Sequence, residues 1–263
     1  MYPTPVSNVA TAAILSVEVL GVRIDDVTYP EAVGRLRAAI ATRVPLVVTT
    51  PNPEFVMLAR RNAAFNAVLQ RAGLNIPDGI GLLLAARLAG ERLREHVQGT
   101  DLVLRLAAES ARASERWFLL GGEGGVARQA GDVLEAQFPG LRIVGAIPGS
   151  PWPADDANTR AAIRAAQPVD VLLVAYGAPK QEFWLDRNLA TLEIPVGIGV
   201  GGVFNYLSGS VPRAPGWVRR LHFEWLHRLV TQPSRWRRQL ALPQFAVLAV
   251  VAGLRRQLQG PWR

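Results

Sequence analysis

The stretch Val169-Asp170-Val171-Leu172-Leu173-Val174-Ala175-Tyr176-Gly177-Ala178-Pro179-Lys180-Gln181-Glu182 sets the fold class. It opens as a short apolar run of β-type residues, turns through a glycine–proline loop, and continues as a polar run. Outward from it the same succession repeats. Strands are predicted over residues 15–22, 46–50, 74–76, 117–120, 141–144, 169–174 and 196–200. Ala/Arg/Leu-rich stretches at helical spacing separate most of them, as at 29–41, 126–138 and 155–166. Strand–helix alternation of this kind predicts an α/β, Rossmann-like fold: a mostly parallel sheet with helices on both faces. Ligands of such sheets collect at the carboxyl ends of strands, so the segment after each strand is where a site belongs.

Five such segments stand out. Thr49-Thr50-Pro51-Asn52-Pro53-Glu54 places two hydroxyls and a carboxamide where a strand passes into a helix. Taken alone, Asn52 reads first as a helix N-cap, and Pro53 suits a first helical turn. Asn75-Ile76-Pro77-Asp78-Gly79-Ile80-Gly81 sets a carboxylate beside glycines that admit a ligand to the backbone. Asp78 there is a candidate general base for a hydroxyl group, or a second N-cap, before a helix over 80–88. Leu119-Leu120-Gly121-Gly122-Glu123-Gly124-Gly125-Val126-Ala127 ends a strand in glycines and opens a helix, offering bare amides and a positive dipole end to a phosphate. Gly122, Gly124 and Ala127 match the GxGxxA pattern of dinucleotide-binding dehydrogenases. The acid that would hold the ribose is missing, since Val144-Gly145-Ala146-Ile147 occupies the next strand end. NAD is therefore disfavoured and a nucleoside diphosphate is not.

The opening stretch supplies the fourth loop. Lys180 within it is the only lysine beside 28 arginines, which singles out a compact cation, with chance as the competing reading. The fifth, Gly197-Ile198-Gly199-Val200-Gly201-Gly202-Val203-Phe204-Asn205, is another glycine-rich turn, and by itself reads equally as close backbone packing.

Composition narrows the class. With 263 residues, 49% hydrophobic and 19% charged, the chain has the makeup of a folded domain, with or without a tail. It has no cysteine, which excludes disulfides and thiolate metal sites. His222 and His227 lie five apart, poor spacing for a shared metal on one helical face, and no metal is expected. Residues 1–13 read as a leader without periodicity or a basic n-region, so no signal peptide is expected. The apolar run 240–254 is interrupted by Pro243 and Gln244 and falls short of the roughly 20 residues that cross a bilayer. A cytoplasmic location is expected.

The net charge of +8 is unevenly spread. Residues 213–263 hold ten arginines against the single acid Glu224, while residues 1–212 hold 19 basic and 20 acidic residues. Four of the seven tryptophans (217, 225, 236 and 262) also fall there, and Trp217, Leu221, Trp225 and Leu229 recur at four-residue intervals. The boundaries expected are a leader over 1–13, a catalytic domain over 14–210, and a basic helical appendage over 211–263. Such an appendage needs an anionic partner: nucleic acid, or a membrane with its phosphorylated lipids.

In order and spacing these segments resemble the WecG/TagA/CpsF glycosyltransferases. The resemblance runs from Leu20-Gly21-Val22-Arg23-Ile24-Asp25 through Thr50-Pro51-Asn52, Pro77-Asp78-Gly79, Gly99-Thr100-Asp101-Leu102, the 121–127 loop, Gly177-Ala178-Pro179-Lys180-Gln181-Glu182 and residues 199–204 to Arg213-Ala214-Pro215 and Glu224-Trp225-Leu226. The resemblance implies an inverting enzyme that moves a hexose such as N-acetylmannosamine from a UDP-sugar to an undecaprenyl-diphosphate-linked sugar in surface polysaccharide synthesis. A UDP-glucose or UDP-uronate donor is the alternative. It implies that Asp78 is the catalytic base, that Thr50, Asn52 and Gln181 contact the reacting sugars, and that Arg228, Arg235 and Arg238 hold the lipid diphosphate. UDP is expected across the glycine loops at Gly122, Gly124, Gly177, Lys180 and Gly201, with no cofactor.

Two positions depart from the family pattern. Glu95-His96-Val97 carries histidine where arginine is expected, which leaves His96 as a weaker, pH-dependent phosphate donor. Asn205 stands in place of an aspartate. No Asp-x-Asp pair exists to hold a cation; the adjacent pairs Asp25-Asp26 and Asp155-Asp156 read as surface residues. Charge on a departing UDP then falls to arginine, lysine and helix amides. A nucleic-acid-binding module would need only the tail, and five polar or glycine-rich strand ends are excessive for a scaffold, so no nucleic acid is expected. The partners are the UDP-sugar, the polyprenyl-diphosphate-linked acceptor and an anionic membrane surface. The 240–254 run lies on that surface, or packs on the core, or meets a second subunit of a homo-oligomer.

Overall fold

A computed structural model describes residues 14–220, 223–231 and 236–259. The expected leader lies outside these, as do Leu221, His222, Arg235 and Trp262. The chain opens with β1 (Ser16–Val19) and β2 (Val22–Asp25), an antiparallel hairpin. This corrects the single strand expected over 15–22. Leu20 and Gly21 both take positive φ (50° and 88°), the two-residue turn that matches strand twist, and it folds the run back on itself.

After α1 (Tyr29–Thr42) the sheet begins with β3 (Leu46–Thr49), α2 (Pro53–Ala59), α3 (Ala63–Arg71) and β4 (Leu74–Asn75). Next come α4 (Ile80–Leu88), α5 (Gly99–Arg112), β5 (Arg116–Gly121), α6 (Val126–Gln137), β6 (Arg142–Ile147) and α7 (Asp156–Ala165). The alternation closes with β7 (Val171–Ala175), α8 (Lys180–Asn188), β8 (Val196–Gly199) and α9 (Val203–Leu207). Six strands form one parallel sheet in the order β4-β3-β8-β7-β5-β6.

The strands alternate faces as the pleat requires. Trp117, Leu119, Val171 and Leu173 pack under α1, α5 and α6, whereas Phe118, Leu120, Leu172 and Val174 pack under α7 and α8. β5 hands over to α6 on the first face and leads outward to β6. β7 hands over to α8 on the second face and leads the other way, to β8. The carboxyl ends of β5 and β7 are therefore the topological switch point, where doubly wound sheets open a crevice for ligands.

The tail forms α10 (Gly216–Arg220), α11 (Glu224–Thr231), α12 (Trp236–Gln239) and α13 (Ala241–Gln259). α13 runs unbroken through Pro243, which sits in its first turn, where its missing N–H costs no helical bond. One side of α13 joins the core: Phe245 and Ala249 are buried with residues of α2, α4 and the hairpin. At Gly253 the helix passes so close to Leu88 that a Cβ would stand 2.6 Å from its carbonyl oxygen. The opposite side, with Val247, Val250, Val251, Leu254 and Leu258, is exposed.

Among the described residues no helix is long and apolar enough to cross a membrane.

Candidate active site

The carboxyl ends of β3 and β4 carry the first group of side chains. Parallel pairing of Thr49 with Asn75 brings the two exits level. Beyond the strands, the Ile76 amide still donates to the Thr49 carbonyl (2.9 Å) and the Asp78 amide to the Pro51 carbonyl (2.9 Å). The two loops are thus laced together up to Asp78. Behind them the Thr49 hydroxyl donates to Asn75 Oδ1 (2.5 Å), and the Asn75 amide donates to buried Asp25 (2.7 Å).

Asp25, Asp26 and Asp156 are buried rather than superficial, a correction to the reading of both acidic pairs. Asp25 receives Asn75, Asp26 binds Arg94, and Asp156 binds Arg187. Burial raises the Asp25 carboxyl above its ordinary range, against the lowering effect of the Asn75 amide and of Arg23.

Asn52 caps α2, its Oδ1 accepting from the Phe55 amide at 3.0 Å. The capping reading fails for Asp78. The residue before α4 is Gly79, and no side chain caps that helix. The Asp78 carboxylate reaches instead to the start of α5, where Oδ2 accepts from the Gly99 amide at 3.3 Å. The carboxylate stays one-third exposed, and His96 Nε2 lies 3.5 Å from its Oδ1. Gly99 leaves the space between Asp78 and Thr50 open, since a Cβ there would stand 3.3 Å from Thr50 Cγ2 and 3.5 Å from Asp78 Oδ2.

The second group sits at β7 and β8. Gln181 is buried in the first turn of α8, and its Oε1 accepts from the amides of Gly177 (3.0 Å) and Gly201 (2.9 Å). Gly199 joins the two groups. Its carbonyl accepts from the Thr50 hydroxyl at 3.5 Å, and its Cα lies against the Gln181 carboxamide. His96, Asp78, Thr50, Gly199 and Gln181 therefore form one continuous line across the strand ends. Asn52 stands beside it as a cap.

At the switch point, β5 ends in Gly121, where a Cβ would meet the Ala175 backbone at 2.9 Å. Gly122 and Gly124 follow with φ of 75° and 62°, and α6 starts without a side-chain cap. The Val126 amide donates to the Glu123 carbonyl at 3.3 Å, and no side chain takes the amides that follow it, which leaves those to solvent or a ligand. Lys180 Nζ lies 5.0 Å from the centroid of the Trp152 ring, on the loop after β6. Of the three tail arginines, Arg238 reaches Glu54 at 3.3 Å, next to Asn52. Arg228 lies on α11 with its side chain outside the described residues, and Arg235 lies outside them altogether. Asn205 lies on α9.

Sequence reasoning passed over Tyr29 and Gln98 and gave no role to Glu95, Asp101, Arg213 and Glu224, which together hold this line in place. The Gln98 amide donates to the Tyr29 hydroxyl (2.8 Å), and Glu95 accepts from the Tyr29 amide (2.9 Å). The Gln98 side chain bonds Glu224 of α11 and Arg213, and Arg213 pairs with Asp101 at 2.7 Å. Burial pushes the Tyr29 phenol up, so it stays protonated. Glu182, buried beside Gln181, was quoted without a role, although the consecutive apolar Phe183-Trp184-Leu185 that follows it signalled a helix packed on more than one side. Among the described residues no three His, Cys, Asp or Glu side chains converge as metal ligands.

A doubly wound α/β sheet with a carboxylate, hydroxyls and glycine loops at its strand ends has the makeup of a nucleotide-binding enzyme site. The chain matches the glycosyl transferase WecG/TagA/CpsF family over residues 17–259, and it belongs to that family. It is 35% identical over 198 residues to the N-acetylglucosaminyldiphosphoundecaprenol N-acetyl-beta-D-mannosaminyltransferase of Bacillus spizizenii, covering 75% of this chain and 76% of the relative. The protein of the same name from Bacillus subtilis strain 168 is 32% identical over 208 residues, covering 79% and 80% of the two chains. That of Staphylococcus aureus strain NCTC 8325 is 27% identical over 234 residues, covering 87% and 90%. The chain is a glycosyltransferase.

Proposed function

We propose that this enzyme transfers N-acetylmannosamine, or a closely related hexose, from a UDP-sugar to a sugar carried on undecaprenyl diphosphate, with inversion at the anomeric carbon. The observation that carries the reading is the placing of Asp78. Its carboxylate is not spent on capping, stays partly open to solvent, and is oriented by the Gly99 amide, across which Thr50 stands. The relatives' printed name supplies the acceptor class and the sugar. UDP-glucose or a UDP-uronate remains the alternative donor.

In this mechanism Asp78 takes the proton from an acceptor hydroxyl. That oxygen attacks the anomeric carbon from the side opposite the nucleotide, and the bond from that carbon to the UDP β-phosphate oxygen breaks. UDP lies across the switch point, with Gly122 and Gly124 at the α6 amides and Gly177, Lys180 and Gly201 on the facing loops. Negative charge developing on it is met by helix amides and Lys180, without a divalent ion. Thr50 and Asn52 border the reacting sugars, and His96 donates to the acceptor diphosphate. Gln181 borders them through the loops that it joins.

Residues 211–263 form the acceptor- and membrane-binding unit of the 14–210 catalytic domain. Arg238 stands at the entrance beside Glu54, and Arg228 and Arg235 complete the grip on the diphosphate. The outer face of α13 lies on the inner leaflet of the cytoplasmic membrane: Val247 and Leu258 are 62% and 81% exposed, and Arg255 and Arg256 flank them. Measuring UDP release from a panel of UDP-sugars, with and without undecaprenyl-diphosphate-linked N-acetylglucosamine, tests the reading. Release that needs both UDP-N-acetylmannosamine and the lipid acceptor supports it. Donor turnover indifferent to the acceptor counts against it.

A further inference from the structure

Gln181 and its neighbour Glu182 form a deeply buried polar pair at the carboxyl end of the sheet, at 2% and 0% exposure. Gln181 Oε1 receives two amides from different loops, Gly177 before α8 and Gly201 before α9. Its Nε2 donates to Glu182 Oε1 at 2.7 Å. That acceptor decides which way the carboxamide faces. With Glu182 behind it, the nitrogen points inward and the oxygen meets the two N–H donors. The reverse orientation would set an NH2 group against them. Space for the pair is made at Gly199, where a Cβ would stand 2.7 Å from Gln181 Nε2 and 2.9 Å from Glu182 Oε1.

Glu182 Oε2 is buried with no hydrogen-bond partner, so no donor steadies a charge on it and burial favours the neutral form. Burial pushes it up to about 7, and the Gln181 bond offsets this only in part. Among the described residues no charged side chain compensates. On α8 itself, Lys180 lies over Trp152, Asp186 pairs with Arg71 of α3, and Arg187 pairs with Asp156 of α7. The adjoining strands β3, β7 and β8 carry no titratable side chain, and neither does the turn Ala190–Leu192.

We propose that Glu182 is a positioning residue of the transfer reaction: through the Gln181 carboxamide it clamps the loop after β7 to the loop after β8 and so sets the width of the nucleotide crevice. The clamp rests on the reading of that crevice as the UDP site. It is closed while Glu182 is neutral. Ionisation leaves an uncompensated charge that draws the first turn of α8 toward water and slackens the Gly177 and Gly201 bonds.

The test compares full-length wild type, E182Q and E182A by UDP calorimetry at about pH 6 and about pH 8, with amide exchange at Gly177 and Gly201 in parallel. E182Q keeps an acceptor for Gln181 Nε2 and cannot ionise. It is expected to hold UDP equally relative to wild type at the lower pH and more tightly at the higher. E182A is expected to lose about tenfold in UDP affinity at both, with faster exchange of both amides. Should E182A fail to fold, E182Q alone carries the comparison. Wild type and E182Q with the same pH dependence and the same exchange would overturn the proposal. Absence of UDP binding in wild type would instead remove the donor-site reading, while the exchange data still decide whether the two loops are clamped.

Discussion

His96 Nε2 stands 3.5 Å from Asp78 Oδ1, while the other oxygen of the same carboxylate accepts from the Gly99 amide. One imidazole thus borders both the candidate base and the place assigned to the acceptor diphosphate. The two roles are told apart by kinetics. As a phosphate donor the ring acts on acceptor binding, so His96→Ala should raise the acceptor KM and His96→Arg should restore it. A fall in kcat with the acceptor KM unchanged would assign the ring to Asp78.

Glu182 gives stability its own pH dependence. Its carboxyl, ordinarily near 4.5, is pushed up to about 7 by burial. Below the lower value it is protonated in both folded and unfolded chains and costs nothing. Between the two values the unfolded chain loses the proton while the folded one retains it, so stability falls as pH rises, and the loss is complete above the upper value. The interval corresponds to on the order of 3 kcal/mol. E182Q, which cannot titrate, should gain on wild type across this window in urea denaturation. A constant difference between the two at all pH values would contradict the burial argument.

The exposed side of α13 can be changed without touching its buried side. Phe245 and Ala249 belong to the core, so removing the whole tail would unseat α2 and α4 as well as any membrane contact. Val250→Glu, Leu254→Glu and Leu258→Glu together alter only exposed positions. This variant is expected to fold normally and to lose flotation with anionic vesicles, since charge is added to the face meant for the interface. The triple Arg→Ala variant at Arg228, Arg235 and Arg238 should lose turnover more than flotation. Equal flotation of the glutamate variant and wild type would exclude α13 as the docking face.

Charge on the departing UDP is assigned to the α6 amides and Lys180. Activity should therefore survive a chelator, and Lys180→Ala should weaken UDP binding, as removal of a charge-assisted contact does, by about tenfold or more. Activity abolished by chelation and restored by magnesium or manganese would contradict this assignment.

Much of this was legible because strands and helices differ in period. The helix over 80–88 emerges with the same limits, and β3, β5 and β7 differ by a residue or two at their ends. The hairpin was hidden because Leu20 takes a positive φ that its side chain does not advertise, with Gly21 the only signal. The acidic pairs were misread because burial depends on partners remote in sequence, such as Arg94 for Asp26 and Arg187 for Asp156. α13 is apolar on two sides, one facing the core and one facing out, so no single stripe told them apart. The strand-end residues were found because parallel strands all deliver their exits to one edge. The pair of hydrogen bonds that Gln181 accepts from two loops needed the strand order β7-β8, which no local pattern encodes.

Asp78→Asn tests the central claim most directly. The substitution keeps the size of the side chain and an oxygen for the Gly99 amide, and removes only the basicity. Turnover of UDP-N-acetylmannosamine with the undecaprenyl-diphosphate-linked acceptor should fall ~100- to 10,000-fold, with UDP binding and folding unchanged. Near-normal turnover by a natively folded Asp78→Asn enzyme would contradict the account.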